Sequence, residues 1–147
     1  MSLVVVDAST AAKWLFEEEH SDAARRLRTG SFELHAPDFL NLELAGLITK
    51  NHRRGVLAAD EAVEAHALVE TLPIRRHPWA SLTRPAFALA LETRRALYDC
   101  LYLALAIALD GRVATADRKF FDALADCPFA AHLIWIEDVP TSLSTED

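Results

Sequence analysis

Four of the 22 acidic residues lie where an acid in contact with water is not expected. Asp7 and Asp117 each follow a short apolar segment, whereas Glu43 and Asp99 lie within apolar helical patterns. Burying a carboxylate without a partner costs several kcal/mol, unless the group takes up a proton. A divalent cation shared by the four carboxylates would remove this cost, so these residues are candidates for a metal site.

The residue types favour a hard cation over zinc. Carboxylate oxygens are the ligands that Mg²⁺ and Mn²⁺ prefer, whereas zinc sites use mainly cysteine and histidine. The six histidines show no HxH or HExxH spacing, and Cys100 and Cys127 do not form a CxxC pair. The sequence therefore predicts Mg²⁺ or Mn²⁺ at the four acids.

Each acid also has a structural explanation that needs no metal. Asp7 and Asp117 can each be the N-cap of the helix that follows, and Asp99 can cap the helix that begins near it. Glu43 lies beside an apolar stripe of its helix, where a buried ion pair with an arginine would explain it. Four such acids, on two strand ends and two helix faces, favour a common site, although the caps and the ion pair stay open.

Strands and helices alternate along the chain. Short apolar runs predict strands at residues 3–6, 32–36, 112–115 and 133–136, with a weaker candidate at 72–76. The predicted helices are a segment capped by Ser9 or Thr10 and reaching about Glu19, and residues 21–28, 38–54, 58–71, 85–92, 98–109 and 118–125. This order predicts an α/β fold with a mostly parallel sheet covered on both faces. Ligands bind at the carboxyl ends of such strands, where Asp7 and Asp117 lie.

Length and composition indicate a globular protein. The 147 residues, of which 52% are hydrophobic, suffice for one core. We expect a single domain over residues 1–147 with a frayed tail at 140–147. No apolar run approaches the roughly 20 residues that span a bilayer, and MSLVVVDAS lacks the basic segment of a signal peptide. The two cysteines suit reduced thiols, so a cytoplasmic protein is expected.

The charge of the chain argues against non-specific coating of nucleic acid. Fifteen basic and 22 acidic residues give a net charge of −7, whereas such coating proteins usually carry a basic field. The basic residues are clustered, and residues 50–54, just before Gly55, suit the last turn of a helix. A nucleic-acid substrate is still compatible with this charge, because local placement matters more than the sum.

Four segments, taken in order, resemble the PIN-domain ribonucleases, and especially the VapC-type toxins of bacterial toxin–antitoxin pairs. The segments are VVVDASTAAKW, PDFLNLELAGLI, YDCLYLALA and VATADRKF, each of which contains one of the four acids. The resemblance implies a three-layer α/β/α sandwich with a mostly parallel sheet of about five strands. It further implies a Mg²⁺- or Mn²⁺-dependent endoribonuclease that acts on RNA as a cytoplasmic toxin, with a small antitoxin partner and a homodimeric state.

The resemblance also implies roles for individual residues. The four acids would hold one or two metal ions, which activate a bound water and stabilise charge on the scissile phosphate. For Asp117, contact through a water molecule is the alternative to direct ligation. Ser9 and Thr115 would hydrogen-bond to carboxylates, water or phosphate. Lys13 and Arg118 are candidates for contacts with RNA phosphates, with a solvated surface position as the alternative for both.

Three other functions remain open. A PIN-like nuclease can act in RNA processing outside toxin–antitoxin systems, and a non-catalytic PIN module can bind RNA or protein. A haloacid-dehalogenase-like phosphotransferase also begins with a strand and an aspartate, but it expects a second acid where this chain has Ser9. The presence of all four acids favours the nuclease.

Overall fold

A five-stranded, all-parallel sheet forms the centre of the protein. The structure is a computed structural model that describes residues 2–140. The strands are β1 (Ser2–Val6), β2 (Phe32–Pro37), β3 (Ile74–His77), β4 (Arg112–Thr115) and β5 (Leu133–Trp135). They lie side by side in the order β3-β2-β1-β4-β5. The predicted α/β fold with about five parallel strands is confirmed.

Seven α-helices connect the strands within residues 2–140. They are α1 (Ala8–Leu15), α2 (Ser21–Thr29), α3 (Phe39–Arg53), α4 (Ala59–Thr71), α5 (Thr83–Thr93), α6 (Leu97–Ala108) and α7 (Arg118–Ala123). Short 3₁₀ helices lie at Trp79–Leu82, Pro128–His132 and Ile136–Asp138. Helix α6 packs across β1, β2 and β4, and α5 packs on α6. None of the helices in this part of the chain has the length and apolar character needed to cross a membrane.

Strand β1 shows why the sheet must be covered on both faces. Its residues Val4, Val5 and Val6 are all buried, although neighbouring side chains of a strand point to opposite faces. A strand buried on both faces needs a layer of helices on each side. The predicted three-layer α/β/α sandwich is therefore confirmed. Helix α6, predicted to be buried because it is apolar nearly all round, is buried from Cys100 to Ala106.

Helix α1 is shorter than predicted. It ends at Leu15, whereas the prediction extended it to about Glu19. Three consecutive glutamates at residues 17–19 would lie at the negative end of the helix dipole, where acids are unfavourable. The chain turns instead, and the Lys13 ammonium forms an ion pair of 2.9 Å with Glu18 across that turn.

The weak strand candidate at residues 72–76 is a true edge strand, β3, displaced by one or two residues. Arg76 fixes it to its surroundings, because its guanidinium donates to Asn41 Oδ1 at 2.9 Å and to the carbonyls of Val69 and Ile74. The frayed tail predicted for residues 140–147 lies outside the described residues, apart from Pro140. A single domain over residues 1–147 stays a prediction.

Candidate functional site

The candidate site lies where the carboxyl ends of β1 and β4 meet. These strands are neighbours because the chain, after building β2 and β3 on one side of β1, returns to its other side. Such a reversal of strand order marks the usual ligand-binding position of parallel sheets. The register pairs Val6 with Ala114, which places Asp7 beside Thr115. Thr115 Oγ1 donates a hydrogen bond of 2.5 Å to Asp7 Oδ2.

The other oxygen of Asp7 begins helix α1. Asp7 Oδ1 accepts hydrogen bonds from Ser9 Oγ at 2.7 Å and from the Thr10 N–H at 3.0 Å. Asp7 is therefore the N-cap of α1, and the expectation that Ser9 or Thr10 caps this helix is wrong. Its extended backbone directly precedes the first helical residue, as a cap requires. Burial outweighs the hydrogen bonds and raises the pKa of Asp7.

Two hydroxyl groups tie Asp7 to the segment after β4. Ser9 Oγ accepts a hydrogen bond of 3.0 Å from the Ala116 N–H. Thr115 Oγ1 accepts one of 3.1 Å from the Asp117 N–H. The same two hydroxyls donate to the Asp7 carboxylate. They therefore set the position of Asp117 relative to Asp7 without touching the Asp117 carboxylate themselves.

Asp117 is also an N-cap, in this case of α7. Its Oδ1 accepts a hydrogen bond of 3.2 Å from the Phe120 N–H. The cap explanation is thus correct for both strand-end acids. A cap and a ligand are compatible roles, because a carboxylate has two oxygens and several acceptor positions. The nearby charge of Asp117 is felt by Asp99, whose pKa it helps to raise.

Asp99 lies in the first turn of α6 but does not cap it. The N-cap is Ala96, so the cap explanation for Asp99 is wrong. Burial raises the pKa of Asp99 to about 6, and the negative charges of Asp117 and Asp7 contribute in the same direction. Arg95 opposes this shift only in part. The fold therefore holds Asp99 where its charge is unfavourable in the absence of a cation.

Glu43 faces α6 from α3 and is bound by a tyrosine. The Tyr102 hydroxyl donates a short hydrogen bond to Glu43 Oε1, and the Tyr102 side chain is 2% exposed. Within residues 2–140 Glu43 forms no ion pair, so the arginine explanation is wrong for the described part of the chain. Burial raises the pKa of Glu43, and the charges of Asp7 and Asp99 add to the shift.

Tyr102 was missed in the sequence. One signal was present, because Tyr102 follows Asp99 by three residues and therefore lies on the same face of α6. A tyrosine in an apolar helix is usually a core residue whose hydroxyl finds some partner. Its partner is a carboxylate of the candidate site.

The four acids are coupled by charge but are not drawn together. Asp7 and Asp99 raise the pKa of Glu43, while Asp7 and Asp117 raise that of Asp99. Nowhere in residues 2–140 do three His, Cys, Asp or Glu side chains already converge at the distance of metal ligands. The group is thus an open cluster of mutually repelling oxygen donors. Its chemistry fits a hard divalent cation, which would offset the repulsion.

The two basic candidates have partners of their own. Lys13 is 9% exposed, and its ammonium lies 2.9 Å from Glu18. The Arg118 guanidinium lies 3.8 Å from the centre of the Trp135 ring, and its Nη1 donates to Asp122 Oδ1 at 3.3 Å. Neither cation touches the four acids through a hydrogen bond or ion pair within residues 2–140. Their contact with RNA stays a prediction.

Replacing Tyr102 by phenylalanine is expected to lower the free energy of unfolding by about 1–3 kcal/mol, because it removes a hydrogen bond from a buried hydroxyl to a partly buried carboxylate. Chemical denaturation of the metal-free protein measures this loss. A double-mutant cycle with Glu43→Gln should show coupling between the two changes. The matched control is Tyr98→Phe on the same helix, whose side chain is 55% exposed. Equal effects of the two phenylalanine variants, or no coupling, would contradict the assigned hydrogen bond.

Comparisons with known proteins agree with this geometry. The sequence model of the PIN domain matches residues 4–126. Ribonuclease VapC3 of Pyrobaculum aerophilum is 37% identical over 121 residues, which cover 79% of this chain and 90% of that protein. Ribonuclease VapC9 of Mycobacterium tuberculosis is 32% identical over 127 residues, which cover 86% of this chain and 95% of that protein.

A solved structure shows the same fold. VapC20 of Mycobacterium tuberculosis, described as a sarcin-ricin loop cleaving toxin, superposes with a TM-score of 0.63 at 20% identity, covering 82% of this chain and 94% of that one. The chain therefore belongs to the PIN-domain family. Its curated relatives there are VapC ribonucleases, so the resemblance seen in the four segments is confirmed. This membership speaks against the phosphotransferase alternative.

Proposed function

We propose that this protein is an endoribonuclease that depends on Mg²⁺ or Mn²⁺. The proposed ligands are Asp7, Glu43, Asp99 and Asp117. The observation that carries the proposal is the charge coupling of these acids at the point where the strand order reverses. A site of one buried and three partly buried carboxylates that repel one another has a clear use for a divalent cation. The oxygen-only donor set favours Mg²⁺ or Mn²⁺.

The residues of the chain would orient the carboxylates for this chemistry. Bound metal supplies an activated water and stabilises negative charge on the phosphate. Ser9 and Thr115 orient Asp7 with one hydroxyl on each oxygen. Tyr102 orients Glu43 in the same way. Fixed hydrogen bonds of this kind commonly contribute 10- to 100-fold to metal affinity or activity.

RNA is the substrate that the relatives support. VapC3 and VapC9 are both named ribonucleases, and the chain covers at least 90% of each. The carboxylate site described above fits hydrolysis of a phosphodiester, because its metal would neutralise charge on the phosphate oxygens. A non-catalytic PIN module is the less favoured alternative, since it has no need to keep four repelling acids in place.

The purified protein, free of any partner, is expected to cut RNA when Mg²⁺ or Mn²⁺ is present and to stop when a chelator is added. Gel analysis of RNA fragments, with total RNA and short single-stranded oligonucleotides as probes, measures this cleavage. The control is an Asp99→Asn protein purified in the same way, which reports contaminating nuclease. Cleavage that survives the chelator would refute a metal-dependent nuclease in this chain. Equal cleavage by the control, together with no binding of Mn²⁺ by the wild-type protein, would trace the activity to a contaminant.

We further propose that the nuclease is the toxin of a toxin–antitoxin pair, acting in the cytoplasm and inhibited by a small antitoxin. The relatives' assignment as VapC ribonucleases supports this role. The free thiols Cys100 and Cys127, one of them fully buried, suit a reducing compartment. A neighbouring reading frame for a small DNA-binding protein would distinguish this role from RNA processing elsewhere.

A homodimer is part of the same proposal. Large apolar side chains surround a surface cavity of about 270 Å³ between α3, α5 and α6. Leu42 is 66% exposed, Tyr98 55% and Trp79 49%. Contiguous exposed apolar patches commonly mark protein–protein contacts. The exposed face supports association of this chain with a protein partner, and a second copy is the partner we propose.

A further inference from the structure

A second cavity opens at Glu43, on one side of the candidate site. It measures about 430 Å³, within the range of small-molecule sites, and lies between α1 and α3. Ser9 and Glu43 line it, so it is continuous with the candidate metal site. Lys13, Glu18 and Lys50 supply the remaining charges of its wall. When the scissile phosphate of a nucleic-acid strand lies at the acids, this cavity is open to the neighbouring part of the strand.

Only one of the charged groups along this wall is a cation without an acidic partner in the described chain. Lys13 is neutralised by Glu18 at 2.9 Å, and Glu43 carries the negative charge of the site. Lys50 is exposed and forms no ion pair within residues 2–140. Without Lys50 the cavity would be acidic and would repel a polyanion. Lys50 therefore sets the sign of charge at the far end of the cavity.

The helix places Lys50 at a defined distance from the acids. One face of α3 lines the cavity, because residues three or four positions apart on a helix lie on the same side. The residues on this face are Glu43, Gly46, Leu47 and Lys50. Two turns of α3 separate Glu43 from Lys50, which is a rise of about 10 Å. Gly46 lies between them and leaves the floor open, because a Cβ added there meets nothing within 4 Å.

We propose that this cavity is a phosphate subsite for the RNA strand, in which the Lys50 ammonium binds a backbone phosphate next to the scissile one. The inference rests on the proposed nuclease function and names a residue and a path for its substrate. A lysine acts on phosphate as a point charge and carries no sequence information. The subsite therefore contributes affinity and positioning, while the choice of sequence is made elsewhere.

The test measures RNA binding separately from cleavage. In an Asp99→Asn background, fluorescence anisotropy with a short single-stranded RNA gives the dissociation constant as a function of salt. Lys50→Ala is expected to raise the dissociation constant about three- to tenfold. It should also make the dependence of log affinity on log salt concentration less steep by about 0.7. In the wild-type background the same change should raise KM with little change in kcat, because a uniform binding contact is lost. The matched control is Arg53→Ala, at the same helix end but outside the cavity lining.

A pair of variants at Gly46 tests the path of the strand. Gly46→Glu and Gly46→Gln have nearly the same size, and both suit a helix better than glycine does. If the strand passes through the cavity, Gly46→Glu lowers RNA affinity more than Gly46→Gln, because its charge repels phosphate. Equal affinities of the pair overturn the proposed path.

The outcomes separate this inference from the proposed function. If the wild-type protein cuts RNA but Lys50→Ala and Arg53→Ala bind it alike, the subsite is wrong and the nuclease stands. The subsite is also overturned if Lys50→Ala weakens only the binding of a protein partner. If the wild-type protein cuts no RNA with either metal, the nuclease itself is refuted.

Discussion

Asp99→Asn is expected to reduce RNA cleavage by about 100-fold or more, since even the hydrogen-bonding partners of metal ligands cost 10- to 100-fold when lost. The amide keeps the size of the side chain but removes the charge that would bind the cation. Initial rates with Mn²⁺ measure the loss, and calorimetry with Mn²⁺ measures the accompanying drop in metal affinity. Full activity and unchanged Mn²⁺ binding would show that Asp99 is not a ligand.

The control for this substitution is Asp126→Asn. Asp126 is exposed in the turn after α7, and the change removes the same charge. It is expected to leave cleavage and Mn²⁺ affinity unaltered. The same comparison tests whether Asp99 is structural. Metal-free Asp99→Asn should melt at or above the wild-type temperature at pH 7, because it removes a charge that burial and two acids disfavour. A clearly lower melting temperature would assign Asp99 a structural role.

Without metal, the contribution of Asp99 to the free energy of unfolding is expected to fall as the pH rises from about 4 to 6. The folded-state pKa of Asp99 is raised from 3.8 to about 6, so between these values the folded chain binds more protons than the unfolded one. The raised pKa values of Asp7 and Glu43 act with the same sign. For Asp99 the loss is about 1–2 kcal/mol after allowance for solvent screening. Thermal melts at several pH values, compared with Asp99→Asn, isolate this contribution.

Added Mn²⁺ should reverse that loss. A ligand present at 100 times its dissociation constant stabilises the folded state by about 2.7 kcal/mol, which corresponds to about 5–10 °C for a chain of this size. The gain should be larger at pH 7 than at pH 5, because protonated carboxyl groups do not bind the cation. A melting temperature that does not respond to Mn²⁺ would contradict the repulsive cluster. So would a melting-temperature difference between wild type and metal-free Asp99→Asn that does not change with pH.

Much of the fold was predictable because the local sequence pattern and the tertiary packing favour the same structure. The valines of β1 have only one favourable environment, the middle of a covered sheet, and the apolar helix α6 has only the core. Helix ends were less predictable. Helix α1 ends at Leu15, and the ion pair between Lys13 and Glu18 joins the helix to the turn that follows it. The free-energy difference between such a turn and a longer helix is small, so the sequence alone does not decide where the helix ends.

The candidate site was predictable in its acids but not in their partners. Glu43 and Asp99 were recognised because an acid in an apolar helix pattern is costly. The Tyr102 hydroxyl was not, because its contact with Glu43 joins helices whose contacting residues are 59 positions apart. For Asp7 the cap and the proposed ligand role coincide, so the sequence pattern alone does not separate them.

The pairing of β1 with β4 also has a consequence for synthesis. Asp7 leaves the ribosome early, but the hydroxyl of Thr115 that holds it lies 108 residues later in the chain. Until β4 pairs with β1, Asp7 lacks its hydrogen bond from Thr115, and Asp117 is not yet near the other acids. Contacts so distant in sequence form late, after the cost of closing a long loop has been met. The proposed site therefore assembles only after β4 has been made and has paired with β1, so a chain that lacks β4 is expected not to cut RNA.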